Sequence, residues 1–235
     1  MKTALTLVIA LITMTIQSQE KASLQYLVRQ PKVKTTHPPV VILMHGVGSN
    51  ENDLFSLADQ FPDNFLVLSA RGPLTLSTGR YAWFHVDFAT GKPVINFEEQ
   101  EKSRQLIAKF ISEIKNIYHP DNNNIYLCGF SQGGIMSYGV ALTNPGLVKG
   151  IAVMSGRLLQ EIRPMVQPSE ELKKLNVFIS HGVEDELLTI DYARDAKQWL
   201  ENKGISPEYH EYHAAHQLLP QMANDMLKWL GKTVN

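Results

Sequence analysis

Short apolar runs alternate along the chain with segments in which apolar residues recur every three or four positions. The runs are almost entirely apolar, which is typical of strands buried on both faces of a sheet. They cover residues 39–46, 64–70, 124–130, 148–156 and 175–182. Residues 206–213 instead alternate between polar and apolar side chains and predict one further strand.

The segments between and after these strands show the spacing of amphipathic helices. They cover residues 50–61, 98–118, 132–142, 191–202 and 217–230. Strands that alternate with helices predict an α/β fold with a mainly parallel sheet and helices on both faces. Since the sequence contains neither an internal repeat nor a linker, we expect residues 19–235 to form one domain.

A serine between glycines follows the third apolar run. Residues 129–133 are Gly-Phe-Ser-Gln-Gly, so Ser131 lies where a buried strand turns into a helix. Such a serine is either part of an ordinary tight turn or a nucleophile held in strained backbone geometry. Gly129 and Gly133 lack the side chains that a sharp turn would bring into collision. Because parallel sheets bind ligands at the carboxyl ends of their strands, the position favours a nucleophile.

A serine nucleophile needs a base to accept its proton near neutral pH. Of the eight histidines, His216 follows the last predicted strand, where it is either an exposed residue entering a helix or the base. Asp185 follows the strand at residues 175–182 and is the candidate for the carboxylate that orients the base. The order Ser131, Asp185, His216 is the order of a catalytic triad on an α/β sheet.

The other histidines suggest structural roles or a metal site. His45 and His181 precede glycines at strand ends, where histidine commonly supports a loop. His210, His213 and His216 recur every three residues, which raises the alternative of a metal-binding protein. On a strand, however, His210 and His213 face opposite sides, and no matching carboxylate or cysteine pair is present. We therefore predict no metal and no cofactor.

Four blocks of sequence surround these candidate residues. They are LMHGVGSNENDL, GFSQGG, HGVEDELL and AAHQLLPQMANDMLKWL. In this order they resemble the phospholipase/carboxylesterase family of α/β-hydrolases, which includes small bacterial carboxylesterases and acyl-protein thioesterases. The resemblance extends from about Val40 to Leu230 and implies the α/β-hydrolase fold.

The resemblance also assigns roles to individual residues. It implies that Ser131 is the nucleophile, Asp185 the orienting acid and His216 the base. It further implies an oxyanion hole made by the backbone N–H groups of Val47 and Gln132. These roles imply a serine carboxylesterase that works through an acyl-enzyme intermediate.

Several positions depart from the family pattern. Ala215 replaces the usual glycine before the base, and His85 replaces an aspartate within YAWFHVD. Val47 replaces a common leucine, which matters little for a backbone donor. The residues after the acid, ELLTI, also differ from the family. These changes concern the choice of substrate more than the mechanism.

Two segments without predicted secondary structure, residues 71–96 and 156–170, follow strand ends and should border the catalytic cleft. Trp83, Phe84 and Leu188 are the predicted substrate-binding residues. The alternative for the two aromatic residues is that they anchor a long loop on the core. Since no long lid segment is present, a short- or medium-chain ester is the expected substrate rather than a triglyceride.

Alternatives to a carboxylesterase remain open. A lysophospholipase or a thioesterase of the same family would use the same triad. A non-catalytic or metal-binding exported protein is the alternative outside the hydrolases. The partner is expected to be a small-molecule or lipid ester, and the sequence does not determine the oligomeric state, for which a homodimer is one candidate. The formal net charge of −1 and the scattered basic residues argue against nucleic acid as a partner.

The first 18 residues have the pattern of a secretory signal peptide. Lys2 precedes an apolar segment from Ala4 to Ile16, and cleavage is expected after Ser18. An uncleaved anchor is the alternative, although the apolar segment is shorter than the ~20 residues of a membrane-spanning helix. The chain has a single cysteine, Cys128, so it has no intramolecular disulfide and no N-terminal cysteine for a lipid anchor. We expect an exported protein without an integral membrane span after cleavage, in the periplasm or outside the cell.

Overall fold

The computed structural model describes residues 22–87 and 94–234. The strands are β1 (Tyr26–Arg29), β2 (Val40–Met44), β3 (Leu66–Ala70), β4 (Leu74–Ser77), β5 (Arg80–Ala82), β6 (Val86–Asp87), β7 (Val94–Ile95), β8 (Ile125–Phe130), β9 (Gly150–Met154), β10 (Asn176–Gly182) and β11 (Glu208–Tyr212). The helices are α1 (Asn52–Phe55), α2 (Phe97–Tyr118), α3 (Gln132–Thr143), α4 (Glu170–Lys173), α5 (Ile190–Asn202) and α6 (Pro220–Thr233). Short 3₁₀ turns occur at Ala58–Gln60 and Arg163–Met165.

The central sheet has seven strands in the order β1-β3-β2-β8-β9-β10-β11. β1 is antiparallel to β3, and every other neighbouring pair is parallel. β8, which ends beside Ser131, lies between β2 and β9 near the centre of the sheet. The predicted α/β architecture, a mainly parallel sheet of the α/β-hydrolase type, is confirmed.

Helices cover both faces of the sheet, as the uninterrupted apolar strands predict. Alternate residues of β2 belong to different cores: Ile42 lies in the core that includes residues of α2, α3 and α5, whereas Leu43 lies in the core that includes residues of α1 and α6. Cys128 is buried in the second of these cores, and burial raises the pKa of its thiol to about 12. The free cysteine is therefore an apolar core residue and not a reactive thiol at neutral pH.

The structure differs from the predicted elements at several places. Residues 71–96 contain two short hairpins, β4–β5 and β6–β7, and β1 forms an additional edge strand. The helix predicted at residues 50–61 is broken into α1 and a 3₁₀ turn. α6 begins at Pro220, so His216 lies in the loop before that helix. Proline at a first helical position starts the helix there because its ring presets φ.

The predicted signal peptide, residues 1–18, lies outside the described residues. None of the helices within residues 22–87 and 94–234 is long and apolar enough to cross a lipid bilayer.

Candidate active site

Ser131 occupies a strained turn between β8 and α3. Its backbone has φ 52° and ψ −115°, a conformation that residues other than glycine rarely adopt. Its N–H donates a hydrogen bond to the Met154 carbonyl at the end of β9 (2.8 Å). A Cβ added at Gly133 would overlap the Met44 carbonyl, and one at Gly129 would overlap the backbone of Gly133. Glycine is therefore required on both sides of the serine.

His216 and Asp185 come together at this turn although they are far apart in sequence. His216 Nε2 lies 2.8 Å from Ser131 Oγ, and His216 Nδ1 lies 2.6 Å from Asp185 Oδ2. A neutral histidine that donates from Nδ1 to the carboxylate has its Nε2 lone pair free to accept the serine proton. The Asp185 side chain is fully buried, whereas the His216 side chain is 15% exposed. The three side chains form one hydrogen-bonded chain that ends at the serine oxygen.

The loop after β10 holds Asp185 in place. Asp185 Oδ1 accepts hydrogen bonds from the backbone N–H groups of Leu187 (3.0 Å) and Leu188 (2.8 Å). His181 Nε2 lies 2.6 Å from the Leu188 carbonyl and 3.3 Å from Asp185 Oδ2, so it donates to this loop. Burial lowers the pKa of His181, which keeps the ring neutral. The carboxylate thus remains an acceptor with a fixed orientation.

A second buried histidine holds the loop after β2. His45 Nδ1 donates to the Gly46 carbonyl (2.7 Å), and Nε2 accepts from the Gly72 N–H (2.9 Å). Burial lowers the pKa of His45 as well. A Cβ added at Gly46 would lie only 3.3 Å from Ser131 Cβ, so this loop passes directly beside the serine.

Two backbone donors flank Ser131. Val47 lies in the loop just described, directly after Gly46, and Gln132 is the first residue of α3. Neither backbone N–H has a hydrogen-bond acceptor within the part of the chain that the structure describes. Both residues line the cavity that contains Ser131. The N–H of Gln132 belongs to the start of a helix, where the partial positive charge favours an anion.

The side chain of Gln132 connects the site to the segment after β5. Its Oε1 accepts from the Trp83 N–H (2.7 Å), and its Nε2 donates to the Phe84 carbonyl (2.7 Å). Trp83 is fully buried, and its indole N–H donates to the His45 carbonyl (3.0 Å). The prediction that Trp83 contacts substrate is therefore corrected, because this indole packs under the site and is absent from the cavity wall. Phe84 and Leu188 do line the cavity.

The cavity has a volume of about 270 Å³ and opens beside Ser131. Its walls are mostly apolar, with a few polar side chains. The apolar lining residues are Val47, Phe84, Val86, Ile95, Phe130, Ile135, Leu187 and Leu188. Ile135 lies one helical turn after Ser131, so helical spacing could have placed it here, whereas nothing in the sequence pattern placed Arg157, which also lines the cavity.

The histidines proposed as an alternative metal site have separate partners. His210 Nε2 lies 3.2 Å from Glu208, the exposed His213 lies 3.7 Å from Glu184, and His216 bonds to Ser131 and Asp185. Among the described residues, no three His, Cys, Asp or Glu side chains converge on a position that could hold a metal ion.

Comparison with known proteins agrees with this architecture. The model of the phospholipase/carboxylesterase family matches residues 27–234, so the chain belongs to that family. Carboxylesterase SOBER1 of Arabidopsis thaliana is 27% identical over 73% of this chain and 80% of its own length. Acyl-protein thioesterase 1 of Kluyveromyces lactis is 27% identical over 83% of this chain and 92% of its own length.

Among solved structures, a carboxylesterase of Bacillus cereus superposes with a TM-score of 0.78 at 26% identity. The match covers 92% of this chain and 97% of that one. Family and neighbours together define an enzyme, a carboxylic ester hydrolase of the serine hydrolase class.

Proposed function

We propose that the enzyme is a serine carboxylesterase that hydrolyses short- to medium-chain esters through Ser131, His216 and Asp185. The observation that carries this proposal is the hydrogen-bonded chain from Asp185 through His216 to Ser131 Oγ, with distances of 2.6 and 2.8 Å. Such a chain at the edge of an open cavity, beside two backbone N–H groups without acceptors, matches the requirements of acyl transfer.

In the first step, Ser131 Oγ attacks the carbonyl carbon of the ester and His216 Nε2 accepts the hydroxyl proton. The negative charge that develops on the carbonyl oxygen is stabilised by the N–H groups of Val47 and Gln132. Asp185 stabilises the positive charge of the imidazolium through the bond to Nδ1, and it remains ionised.

The tetrahedral intermediate then collapses. His216 transfers its proton to the oxygen of the leaving alcohol, the carbon–oxygen bond of the ester breaks, and an acyl-enzyme on Ser131 remains. A water molecule repeats the attack with His216 as the base, and the carboxylic acid leaves as Ser131 regains its proton.

The cavity supports a short or medium acyl group. Its volume of about 270 Å³ lies just below the ~300–1,000 Å³ range of ligand pockets, and its walls are mostly apolar. Leu187, at 66% exposure, leaves one side of the cavity open to solvent. The wall contacts of Phe84 and Leu188 are proposed to bind the apolar part of the ester.

The test compares initial rates on p-nitrophenyl acetate, butyrate, octanoate and palmitate. We expect wild type to favour the shorter esters and Ser131→Ala to lower kcat by at least ~10⁴-fold on each of them. Ser137→Ala is the matched control, because Ser137 lies on the same helix and donates to the Gly133 carbonyl away from the triad. Equal rates for wild type and Ser131→Ala would reject the triad and return attention to a non-catalytic or metal-binding protein.

Thioester hydrolysis is the second candidate, because one relative, matched over 92% of its own length, is named an acyl-protein thioesterase. The same triad would attack a thioester carbonyl. Rates on p-nitrophenyl butyrate and on the butyryl thioester of thiophenol separate the two activities. A kcat/KM that is higher for the thioester would favour this candidate.

Export is proposed on the pattern of the first 18 residues, a positive start followed by an apolar stretch and a polar end. On this proposal residues 19–235 form the mature domain. Mass spectrometry of the protein from an exporting host tests it. A mature chain that begins at Gln19 supports cleavage, and a full-length chain retained in membranes supports the anchor.

A further inference from the structure

Arg157 is placed unusually for an arginine. It follows β9 and lines the cavity that contains Ser131. Its Nε is buried and has no hydrogen-bond partner within the described residues. The guanidinium lies over the ring of Tyr192 at 5.1 Å, and no carboxylate of the described residues pairs with it.

Every other arginine of the described residues donates to an oxygen acceptor. Some donate to backbone carbonyls and others to carboxylates. The acceptors are carbonyls for Arg29 and Arg80, and the carboxylates of Glu51 for Arg71, Glu101 for Arg104, Asp195 for Arg163 and Glu211 for Arg194. Arg157 alone in this set has no hydrogen-bond acceptor, and it is the arginine that lines the cavity.

The nearby acidic residues do not satisfy Arg157. Asp53 also lines the cavity, but it accepts a hydrogen bond from Ser49 Oγ (2.8 Å) and forms no ion pair with Arg157. Glu161 and Arg157 both line the groove that adjoins the cavity, and they are also unpaired with one another. The sequence of residues 88–93, which links β6 to β7, contains no aspartate or glutamate.

A buried N–H group without an acceptor is unfavourable, and an anion bound in the cavity would supply the acceptor. Arginine presents a planar set of N–H donors that matches a carboxylate or a phosphate in a bidentate arrangement. The cation–π contact with Tyr192 favours this position of the guanidinium, whose N–H groups have no acceptor among the described residues. The cavity thus contains Ser131 and a separate guanidinium within one continuous space.

We propose that Arg157 is a specificity-determining residue that binds an anionic group, a carboxylate or a phosphate, carried by the ester substrate. The inference rests on the proposed function, since the anion is recognised while Ser131 attacks the ester of the same molecule. The natural substrates are then charged esters, and neutral esters react without this contact.

The test uses two matched pairs of esters. Mono-p-nitrophenyl adipate and p-nitrophenyl heptanoate differ by a carboxylate on the acyl side. Butyryl glycerol phosphate and monobutyrin differ by a phosphate on the alcohol side. Rates are corrected for spontaneous hydrolysis, and the ratio of kcat/KM for the charged and neutral ester of each pair is measured in wild type, Arg157→Gln and Lys203→Gln.

We expect the ratio to fall by roughly 10- to 100-fold in Arg157→Gln for one of the two pairs, which identifies the side of the ester that bears the anion. The neutral ester of each pair is the internal reference, so any general effect of the substitution on the cavity wall cancels from the ratio. Lys203→Gln is the matched control: Lys203 also lies over an aromatic ring, that of Trp199 at 5.3 Å, but outside the cavity. It should leave both ratios unchanged.

The possible results separate the two levels of the proposal. If wild type hydrolyses neutral esters and Ser131→Ala does not, but Arg157→Gln leaves both ratios unchanged, the anion site is rejected and the esterase stands. A ratio that falls equally in Lys203→Gln also rejects the site, because it reports only the overall charge. If wild type hydrolyses no ester of either pair, the proposed function and the anion site fail together.

Discussion

The turn that holds Ser131 and the wall of the adjoining cavity are constrained in opposite ways. At the turn, backbone atoms of neighbouring strands leave no room for a Cβ at Gly129 or Gly133, and each side chain of the hydrogen-bonded chain has a fixed partner. In the wall, Val47 and Leu187 are 48% and 66% exposed, and Arg157 has no acceptor among the described residues.

The difference indicates a division of roles. A change at the turn should affect every ester by the same factor, because it alters the reacting groups or their frame. A change in the wall should affect some esters more than others, because it alters only the contacts with the substrate.

Substitution of Gly133 by alanine should have the largest effect on the stability of the fold. The added Cβ would overlap the Met44 carbonyl, so β2 and α3 would have to move apart. We expect a loss of at least about 3 kcal/mol in the free energy of unfolding, measured by urea denaturation. Gly231→Ala is the control, because Gly231 lies in α6 with no atom within 4 Å of the added Cβ. It should stabilise the helix by about 0.5–1 kcal/mol. A Gly133→Ala variant as stable as wild type would show that the turn is less constrained than we infer.

Asp185→Asn should have the largest effect on the rate of hydrolysis. An asparagine keeps an acceptor for the Leu187 and Leu188 N–H groups but favours the wrong histidine tautomer. We expect kcat to fall by about 10⁴-fold on every p-nitrophenyl ester, with an unchanged melting temperature. Asp191→Asn, at an exposed helical position, serves as the control. Retention of more than a tenth of wild-type kcat would exclude Asp185 as the orienting acid.

The pH dependence of stability tests the two buried histidines that hold the loops of the turn. Burial lowers the pKa of His45 and of His181, so the unfolded chain binds protons more readily than the folded one below the ordinary value of about 6.5. Stability should therefore be full above about pH 7 and fall on acidification, by up to about 1.4 kcal/mol per pH unit for each histidine.

Urea denaturation between pH 5.5 and 8 measures this slope. His181→Gln keeps a donor for the Leu188 carbonyl but does not titrate, so it should reduce the slope. His213→Gln, at a side chain that is 94% exposed, should leave the slope unchanged. A stability that is flat across this range would contradict the neutral state that we assign to both rings.

Ile135→Ala should have the smallest effect and should distinguish the wall from the turn. Ile135 lines the cavity one helical turn after Ser131, and its truncation enlarges the space for an acyl chain. We expect the ratio of kcat/KM for octanoate over butyrate to rise by about fourfold for each methylene that the larger cavity accepts. Leu76→Ala, which truncates an exposed leucine outside the cavity, is the control. An equal loss on both esters would assign Ile135 to the frame of the turn instead.

Much of the fold could be predicted from local pattern. β2, β8 and β9 are apolar on both faces because helices cover both faces of the sheet, and this pattern is visible without tertiary information. The hairpins β4–β5 and β6–β7 were missed because strands of two to four residues are too short to show a period of two.

The residues of the site also divide into those that local sequence could predict and those that it could not. Ser131 could be singled out because its glycines are a local requirement of the backbone, and the sequence order then suggested Asp185 and His216. Trp83 was misplaced because an aromatic residue in a loop looks the same whether it faces a cavity or lies beneath it. Only the hydrogen bonds from its backbone to Gln132 and from its indole to His45 decide between the two.

What the sequence determined by itself is therefore what depends on neighbours along the chain: the buried strands, the glycine-flanked serine and the order of its candidate partners. The tertiary structure decided which side chains have partners across the chain. The bond between His216 and Ser131 joins residues 85 positions apart, and the uncompensated charge of Arg157 exists only because no acidic residue of the described chain pairs with it. Hydrogen bonds and ion pairs act over a few ångströms in space, so only the folded chain determines which of them form.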